Sequence, residues 1–188
     1  MSDIVIVPAY FRPEFLALCL GHLERAAGSS DKEIWICQDW HVGDHEKFEI
    51  EWKETQSVIS EAKKVFGEKL RTIVRPENSY YGNSCNVLSA YKRAFITNAE
   101  LVYLVEEDVL VTPDFFQWHE QTQQETKPFC SVAGYSHEPG AEAFASLGVC
   151  WRRENLAPIL EHAKPDYYEW LANYLKVIFP DSRYGVTF

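Results

Sequence analysis

Residues 101–108 read L-V-Y-L-V-E-E-D, so that five apolar residues run directly into three consecutive carboxylates. The apolar part has the length and composition of a strand that is buried on both faces of a sheet. Three acids at the end of such a strand repel one another and lose hydrating water. A divalent cation offsets that cost, and carboxylate oxygens suit Mg²⁺ or Mn²⁺. The pattern also fits a solvated acidic turn, so both interpretations stay open at this point.

Strands and helices alternate on the N-terminal side of this stretch. Apolar runs predict four strands, over residues 4–7, 33–37, 70–74 and 101–105. Apolar residues at helical spacing predict three helices between them, beginning at Pro13 and covering residues 58–66 and 87–95. This order predicts right-handed crossovers and a mostly parallel sheet with helices on both faces. Ligands of such sheets bind beyond the carboxyl ends of the strands, where the three acids lie.

The chain changes in character after residue 108. Thr112, Pro113 and Asp114 have the pattern of a helix start, with a capping hydroxyl, a first-turn proline and a first-turn acid. Two further strands are predicted, over residues 129–133 and 144–150, and two further helices, over residues 155–162 and from Pro165 onward. The polar segment 40–47 is predicted to be a loop. Because no repeat, linker or break in composition divides the 188 residues, we expect a single domain.

Composition excludes several classes of protein. Hydrophobic residues make up 46% and aromatic residues 14% of the chain, which is ample for a folded core. The net charge of −10 disfavours a broad nucleic-acid or anionic-membrane surface. The apolar runs are far shorter than the roughly 20 residues of a membrane span, and the N-terminus resembles a first strand, not a signal peptide. Five scattered cysteines without a C-x-x-C pair favour reduced thiols in a cytoplasmic protein.

Residues 105–116 (V-E-E-D-V-L-V-T-P-D-F-F) resemble the E-D-D-x₄-P-D-F-F stretch of the N-acetylglucosaminyltransferase I type enzymes, which are metal-dependent glycosyltransferases of the GT-A fold. Residues 38–41 (Q-D-W-H) resemble the Q-D-C-G-H segment of the same group. Residues 6–14, 78–86 and 147–156 are similar to the V-P-x-Y-x-R-P-E, N-x-G-x₅-N and G-x₄-R-R-E-x-L segments of family 2 glycosyltransferases. The acidic motif is the most specific of these, and the common order of all five segments carries the resemblance.

This resemblance implies a single GT-A-like (Rossmann-like) α/β domain. Residues 1–108 would form its nucleotide-sugar-binding half and residues 109–188 its acceptor-side half. The similar enzymes bind the metal with the last acid of the motif, which makes Asp108 the expected ligand of Mn²⁺ or Mg²⁺. The middle acid, Glu107, is expected to face the sugar nucleotide, with Glu106 behind it. Where the family has Asp, this chain has Glu107, whose extra methylene moves the carboxylate by about 1.5 Å.

The resemblance also assigns residues to the nucleotide. Asp39 matches the aspartate that recognises uracil, and a carboxylate suits the N3–H donor of that base, although a loop Asp also caps local backbone. Arg12 is expected to contact the base or a phosphate, and its alternative is a solvated residue before a helix. Further donor-binding residues are Pro8, Ala9 and Tyr10, which would line the nucleotide pocket, and Arg152 and Arg153, which would hold the diphosphate.

An inverting transferase needs a base that deprotonates the acceptor hydroxyl. Residues 168–170 (Y-E-W) resemble the D-D-W segment that holds the base in the N-acetylglucosaminyltransferase I type, which implies that Glu169 is the catalytic base, with Asp166 as the alternative. Residues 180–183 and 187–188 resemble the segment that follows in that group. The prediction that the reaction inverts stereochemistry depends on Glu169 alone, because a retaining enzyme needs no such base.

Three functions remain to be distinguished. The first is a metal-dependent transferase of the hexosyl or N-acetylhexosaminyl type, with a UDP-sugar donor and a glycan, lipid-linked glycan, protein or modified nucleic-acid base as acceptor. The second is a sugar nucleotidyltransferase, which normally has a glycine-rich phosphate loop after its first strand, whereas residues 8–14 contain no glycine. The third is a non-catalytic nucleotide-sugar binding module, against which the intact acidic motif argues mildly.

Overall fold

The computed structural model describes residues 2–26, 28–39, 46–74, 82–124, 131–133, 148–162 and 184–186. Its strands form one seven-stranded sheet in the order β3-β2-β1-β4-β6-β5-β7. The strands are β1 (Asp3–Ala9), β2 (Lys32–Gln38), β3 (Leu70–Val74), β4 (Leu101–Leu104), β5 (Ser131–Ala133), β6 (Val149–Arg152) and β7 (Tyr184–Val186). All neighbouring pairs are parallel except those that β6 forms with β4 and β5. The expectation of an α/β fold with a mostly parallel sheet is therefore confirmed.

Five α-helices accompany these strands in the described part of the chain: α1 (Pro13–Arg25), α2 (Glu46–Phe66), α3 (Gly82–Phe95), α4 (Phe115–Gln123) and α5 (Leu156–His162). Pro13 occupies the first turn of α1, where its fixed φ and missing N–H are tolerated. Gly28 adopts a φ of 87° shortly after this helix, a conformation that favours glycine. None of the described helices is long and apolar enough to cross a membrane.

The two faces of the sheet carry separate apolar cores. One core packs against α3 and α5 and includes Ile4, Ile6, Trp35, Val102 and Trp151. The other packs against α1, α2 and α4 and includes Val5, Val7, Ile34, Tyr103 and Phe116. Successive residues of β1 alternate between the two cores because side chains alternate along a strand. Helices on both faces therefore explain why the central strands are apolar throughout.

The direction of chain progression reverses at β1. The chain places β2 and β3 on one side of this strand and β4 on the other. The gap between the carboxyl ends of β1 and β4 is therefore a topological switch point, the usual position of a ligand in an open α/β sheet.

The structure corrects the predicted starts of two helices. α4 begins at Phe115, because the Thr112 hydroxyl donates a hydrogen bond to the Asp114 carboxylate at 2.7 Å instead of capping the helix. α2 begins at Glu46, inside the segment that was predicted to be a loop. The strand β7 was not predicted, because Y-G-V lacks an apolar pattern. The predicted helix that begins at Pro165 lies outside the described residues.

Candidate active site

Three chain segments meet at the carboxyl edge of the parallel strands. Beyond β4, the Val105 N–H donates to the Ile6 carbonyl at 2.9 Å, which holds the start of the acidic segment against β1. Beyond β2, the Asp39 N–H donates to the Ala9 carbonyl at 2.8 Å. The structure therefore brings together the predicted site residues at positions 8–10, 12, 39 and 106–108, which are separated by up to about a hundred residues in sequence.

The acidic segment is joined to the start of α1 by Arg12. The Arg12 Nε donates to Glu107 Oε1 at 2.7 Å, and an N–H of its NH1 group donates to Asp108 Oδ2 at 2.9 Å. The second oxygen of Glu107 accepts the Tyr10 backbone N–H at 3.1 Å. Arg12 therefore bridges two of the three acids and offsets part of their mutual repulsion.

Glu107 and Asp108 differ in their access to solvent. The side chain of Glu107 is 4% exposed, whereas that of Asp108 is 39% exposed. Burial raises the pKa of Glu107, while the hydrogen bonds from Arg12 and from the Tyr10 N–H act in the opposite direction. Both oxygens of Glu107 already accept a hydrogen bond within the protein, so this residue points inward in the described structure. Of the two, only Asp108 presents a carboxylate to a ligand.

Arg12 keeps its charge in this arrangement. Burial alone would lower the pKa of Arg12, but the hydrogen bonds and the attraction from Glu107 and Asp108 outweigh it and raise that pKa. The guanidinium also lies over the Phe15 ring, 5.6 Å from its centroid. Because 43% of the Arg12 side chain is exposed, it can reach a bound anion as well as the two acids.

The single exposed carboxylate of Asp108 fits a cation that takes most of its other ligands from a substrate. Within the described residues, no group of three or more His, Cys, Asp or Glu side chains could hold a metal ion. A site made by the protein alone is therefore not present in that part of the chain. Mg²⁺ and similar ions commonly bind one or two carboxylates together with substrate phosphates and water, and Asp108 meets that requirement.

The acidic segment is fastened to α1 by further contacts. The Glu106 carbonyl accepts the Val109 N–H at 2.9 Å and the Cys19 thiol at 3.7 Å. Burial, followed by repulsion from Glu107 and Asp108, raises the pKa of Cys19 to about 12, so the thiol stays protonated and can donate. These bonds set the direction of the chain beside Asp108.

Asp39 is placed by residues from two helices. The indole N–H of Trp52 in α2 donates to the Asp39 carbonyl at 3.0 Å. Next to it, the Asn86 amide of α3 donates to the Cys37 carbonyl at 2.6 Å. Gln38 accepts a hydrogen bond from Gln56 and donates to the Tyr10 carbonyl at 3.5 Å. Asp39 is buried in this setting, at the end of β2 and beside β1.

The sequence had not indicated Trp52, Gln56 or Gln38 as positioning residues. Asn86 and Gln38 were part of two segments that carried the resemblance, so a signal for them existed. Trp52 and Gln56 lie one helical turn apart on α2, whose first turns were not predicted. Of the residues expected to line the pocket, Pro8 and Ala9 are buried in β1, and the Ala9 side chain packs in the core against α1.

The structure corrects the assignment of Arg152 and Arg153 to the donor's diphosphate. β6 runs antiparallel to β4 and pairs Arg152 with Leu101, the first residue of β4. The Arg153 guanidinium donates to the Phe95 carbonyl at 3.0 Å. Both arginines therefore lie at the amino edge of the parallel strands, and the five residues from Leu101 to Glu106 place the acidic segment about 16 Å away. The predicted bases Glu169 and Asp166 lie outside the described residues.

Of the three comparisons with known proteins, the one with solved structures supports the fold. No family model matches the chain, and the comparison with curated proteins finds none that matches. Among solved structures, the mannosyltransferase PcManGT from Pyrobaculum calidifontis, in complex with GDP-Man and Mn²⁺, aligns over 99% of this chain with a TM-score of 0.69 and 12% identity. The fold is that of the GT-A glycosyltransferases.

Two other solved structures of similar fold are a second glycosyltransferase and a cytidylyltransferase. The galactosyltransferase LgtC, in complex with donor and acceptor sugar analogues, aligns over 98% of this chain with a TM-score of 0.56 and 13% identity. A cytidylyltransferase from Leptospira borgpetersenii aligns over 99% with a TM-score of 0.61 and 9% identity. At these identities the likeness concerns the fold alone. The chain spans 54%, 72% and 76% of the mannosyltransferase, galactosyltransferase and cytidylyltransferase chains, respectively.

Proposed function

We propose that the protein is a metal-dependent glycosyltransferase that takes a sugar from a nucleotide-sugar donor bound at the carboxyl ends of β1, β2 and β4. The observation that carries this proposal is the exposed Asp108 carboxylate at the switch point of the sheet, held beside the Arg12 guanidinium. A cation and a carboxylate at this position can receive a metal-bound diphosphate. Residues 1–108 would supply the donor-binding half and residues 109–188 the acceptor-binding half.

The proposed donor is a UDP-sugar, with Asp39 as the residue that accepts the N3–H of uracil. Asp39 lies at the end of β2, and its backbone is hydrogen-bonded to Ala9 and Trp52. These bonds fix the backbone position from which the carboxylate extends. Guanine presents its N1–H and amino group to an acceptor in a similar way, and the mannosyltransferase of like fold was solved with GDP-Man. A GDP-sugar is therefore the donor to be compared with UDP-sugars.

Asp108 would hold Mn²⁺ or Mg²⁺ against the donor's diphosphate. When bound, such an ion offsets the negative charge that develops on the leaving nucleoside diphosphate. Arg12 would supply a second positive charge to the same phosphates, and Glu107 would fix the position of Arg12. Glu169 would deprotonate the acceptor hydroxyl in an inverting reaction, with Asp166 as its alternative. The acceptor, a cytoplasmic setting and the type of sugar stay predictions.

A sugar nucleotidyltransferase is the second candidate, since a cytidylyltransferase shares the fold. Such an enzyme would have to cradle a triphosphate in the turn after β1. In this chain the turn contains no glycine, and the Tyr10 N–H is already used by Glu107. These two observations favour the glycosyltransferase over the nucleotidyltransferase.

A thermal-shift series tests the proposal. UDP, GDP, CTP and representative UDP- and GDP-sugars are added with and without Mn²⁺ to the wild type and to Asp108→Asn. We expect one nucleoside diphosphate to raise the melting temperature only with Mn²⁺, and Asp108→Asn to remove that shift. Stabilisation by CTP alone would favour the nucleotidyltransferase, and an equal shift in Asp108→Asn would exclude Asp108 from the site.

The catalytic base is tested separately. Glu169→Gln removes the proton acceptor but keeps the shape of the side chain, so we expect the donor to bind as before while transfer to an added acceptor falls by about 10² to 10⁴. Asp166→Asn makes the corresponding change at the alternative base. Near-normal transfer by Glu169→Gln, together with loss in Asp166→Asn, would reassign the role of base to Asp166.

A further inference from the structure

Arg12 contacts two carboxylates that have different environments. Its Nε is 2.7 Å from the buried Glu107, whereas its NH1 group is 2.9 Å from the exposed Asp108. Glu107 has a second donor in the Tyr10 N–H, and its burial makes the loss of a partner costly. The bond to Asp108 lies at the surface, where ion pairs are weak. If one of the two bonds is exchanged on ligand binding, it is therefore the bond to Asp108.

We propose that Arg12 occupies the metal-binding carboxylate before the donor arrives and moves to the donor's diphosphate when the metal binds. This inference rests on the proposed function. A guanidinium and a divalent cation that share the Asp108 carboxylate repel each other at close range. Arg12 must therefore leave Asp108, or the metal must bind weakly.

The diphosphate removes this conflict. Arg12 has five N–H donors, of which these two bonds use two, and phosphate oxygens accept guanidinium N–H groups strongly. The Nε bond to Glu107 stays in place and acts as the pivot, while the NH1 group turns from Asp108 to the diphosphate. Metal and nucleotide consequently bind with positive cooperativity. Thermodynamic linkage requires that each raises the affinity of the other by the same factor.

Substitution of Arg12 distinguishes this exchange from a merely structural role. Arg12→Lys keeps the charge but cannot reproduce the fork that reaches both acids, so the ammonium group stays with the buried Glu107 and leaves Asp108. Arg12→Gln removes the charge as well. Arg25→Lys and Arg25→Gln are matched controls, because Arg25 is an exposed residue at the other end of α1, about 20 Å away.

Mn²⁺ binding is measured by electron paramagnetic resonance of the free ion, in the absence and presence of UDP or GDP. Only the binding that disappears in Asp108→Asn is counted. In the absence of nucleotide, we expect the Mn²⁺ affinity to rise about threefold in Arg12→Lys and about tenfold in Arg12→Gln, within the usual range of coupling between ligands. The factor by which nucleotide improves Mn²⁺ binding should fall accordingly. Both Arg25 variants should match the wild type.

The possible results separate the two proposals. If Arg12→Gln leaves Mn²⁺ affinity unchanged or weakens it, Arg12 only supports the loop and the exchange is refuted. If Arg12→Gln tightens binding while Arg12→Lys does not, long-range charge explains the effect and the shared carboxylate is refuted. If the wild type shows no Mn²⁺ binding that depends on Asp108, even with nucleotide, the proposed function itself fails.

Discussion

The ion pair between Arg12 and Glu107 joins a half-exposed cation to a buried anion, and this asymmetry makes a quantitative prediction. Arg12→Gln leaves the Glu107 carboxylate buried with only the Tyr10 N–H as a donor. Loss of one partner of a buried charge pair costs about 2–3 kcal/mol where a second hydrogen bond remains. Glu107→Gln leaves Arg12 free to pair with Asp108 or with water, which costs about 1 kcal/mol.

The two substitutions should therefore be unequal and non-additive. We expect the free energy of unfolding to fall more in Arg12→Gln than in Glu107→Gln, and a coupling energy of about 1–2 kcal/mol in the double mutant. For a domain of this size, the loss in Arg12→Gln lowers the melting temperature by about 4–12 °C. Urea titration at pH 7.5, followed by tryptophan fluorescence, gives all three free energies.

The loss in Arg12→Gln should also depend on pH. Burial raises the pKa of Glu107, and in this variant the opposing effect of Arg12 is absent. An acid whose pKa is higher in the folded than in the unfolded state binds more protons when folded. Stability is then gained as the pH falls from the folded pKa toward the ordinary value of Glu, so Arg12→Gln should recover part of its loss near pH 5. A loss that is equal at pH 5 and pH 8, or smaller than that of Glu107→Gln, would refute the described burial of this pair.

Three other substitutions test neighbouring parts of the structure. Trp52→Phe removes the hydrogen bond to the Asp39 carbonyl, so isothermal titration calorimetry should show UDP binding about fivefold weaker and the Mn²⁺ affinity unchanged. Burial lowers the pKa of His119 to about 3, so below pH 6.5 this histidine takes up a proton in the unfolded chain but not in the folded one. The unfolding free energy of the wild type should therefore fall by about 2 kcal/mol between neutral pH and pH 5, and that of His119→Phe should not show this fall. Tyr91→Phe removes the hydroxyl that accepts the buried Trp151 indole N–H at 2.9 Å, which should lower the unfolding free energy by about 1–2 kcal/mol in urea.

The central strands could be predicted from sequence because burial on both faces leaves an unbroken apolar run. The predictions over residues 33–37, 70–74 and 101–105 agree with β2 to β4 within one residue at each end, whereas β1 extends two residues beyond the predicted 4–7, to Ala9. Once these strands are parallel, their carboxyl ends must share one edge, so local pattern placed residues 106–108 at that edge, whereas Asp39 and residues 8–10 and 12 were assigned to the site by the resemblance.

The positions of Arg152 and Arg153 could not be obtained in this way. Their placement depends on the direction of β6, and the apolar residues of that strand carry no information about whether it runs parallel or antiparallel to β4. The start of α2 could not be predicted either, because it depends on a contact with a distant part of the chain. Phe48, near that start, packs against Phe11 with ring centroids 4.8 Å apart, a contact between distant segments that no local pattern shows.

Glu107 stands where the similar N-acetylglucosaminyltransferase I type motif has Asp, and this difference has a consequence for the geometry of the site. Its side chain reaches from the end of β4 to both the Arg12 Nε and the Tyr10 N–H, which belong to the turn after β1. A side chain shorter by one methylene would end about 1.5 Å earlier and could not make both bonds from the same backbone position. The longer side chain of Glu107 therefore holds the loop after β1 in place, so Glu107 and Asp108 have different roles. Glu107 fixes Arg12, and Asp108 is left as the exposed carboxylate that a cation and Arg12 would share in the proposed site.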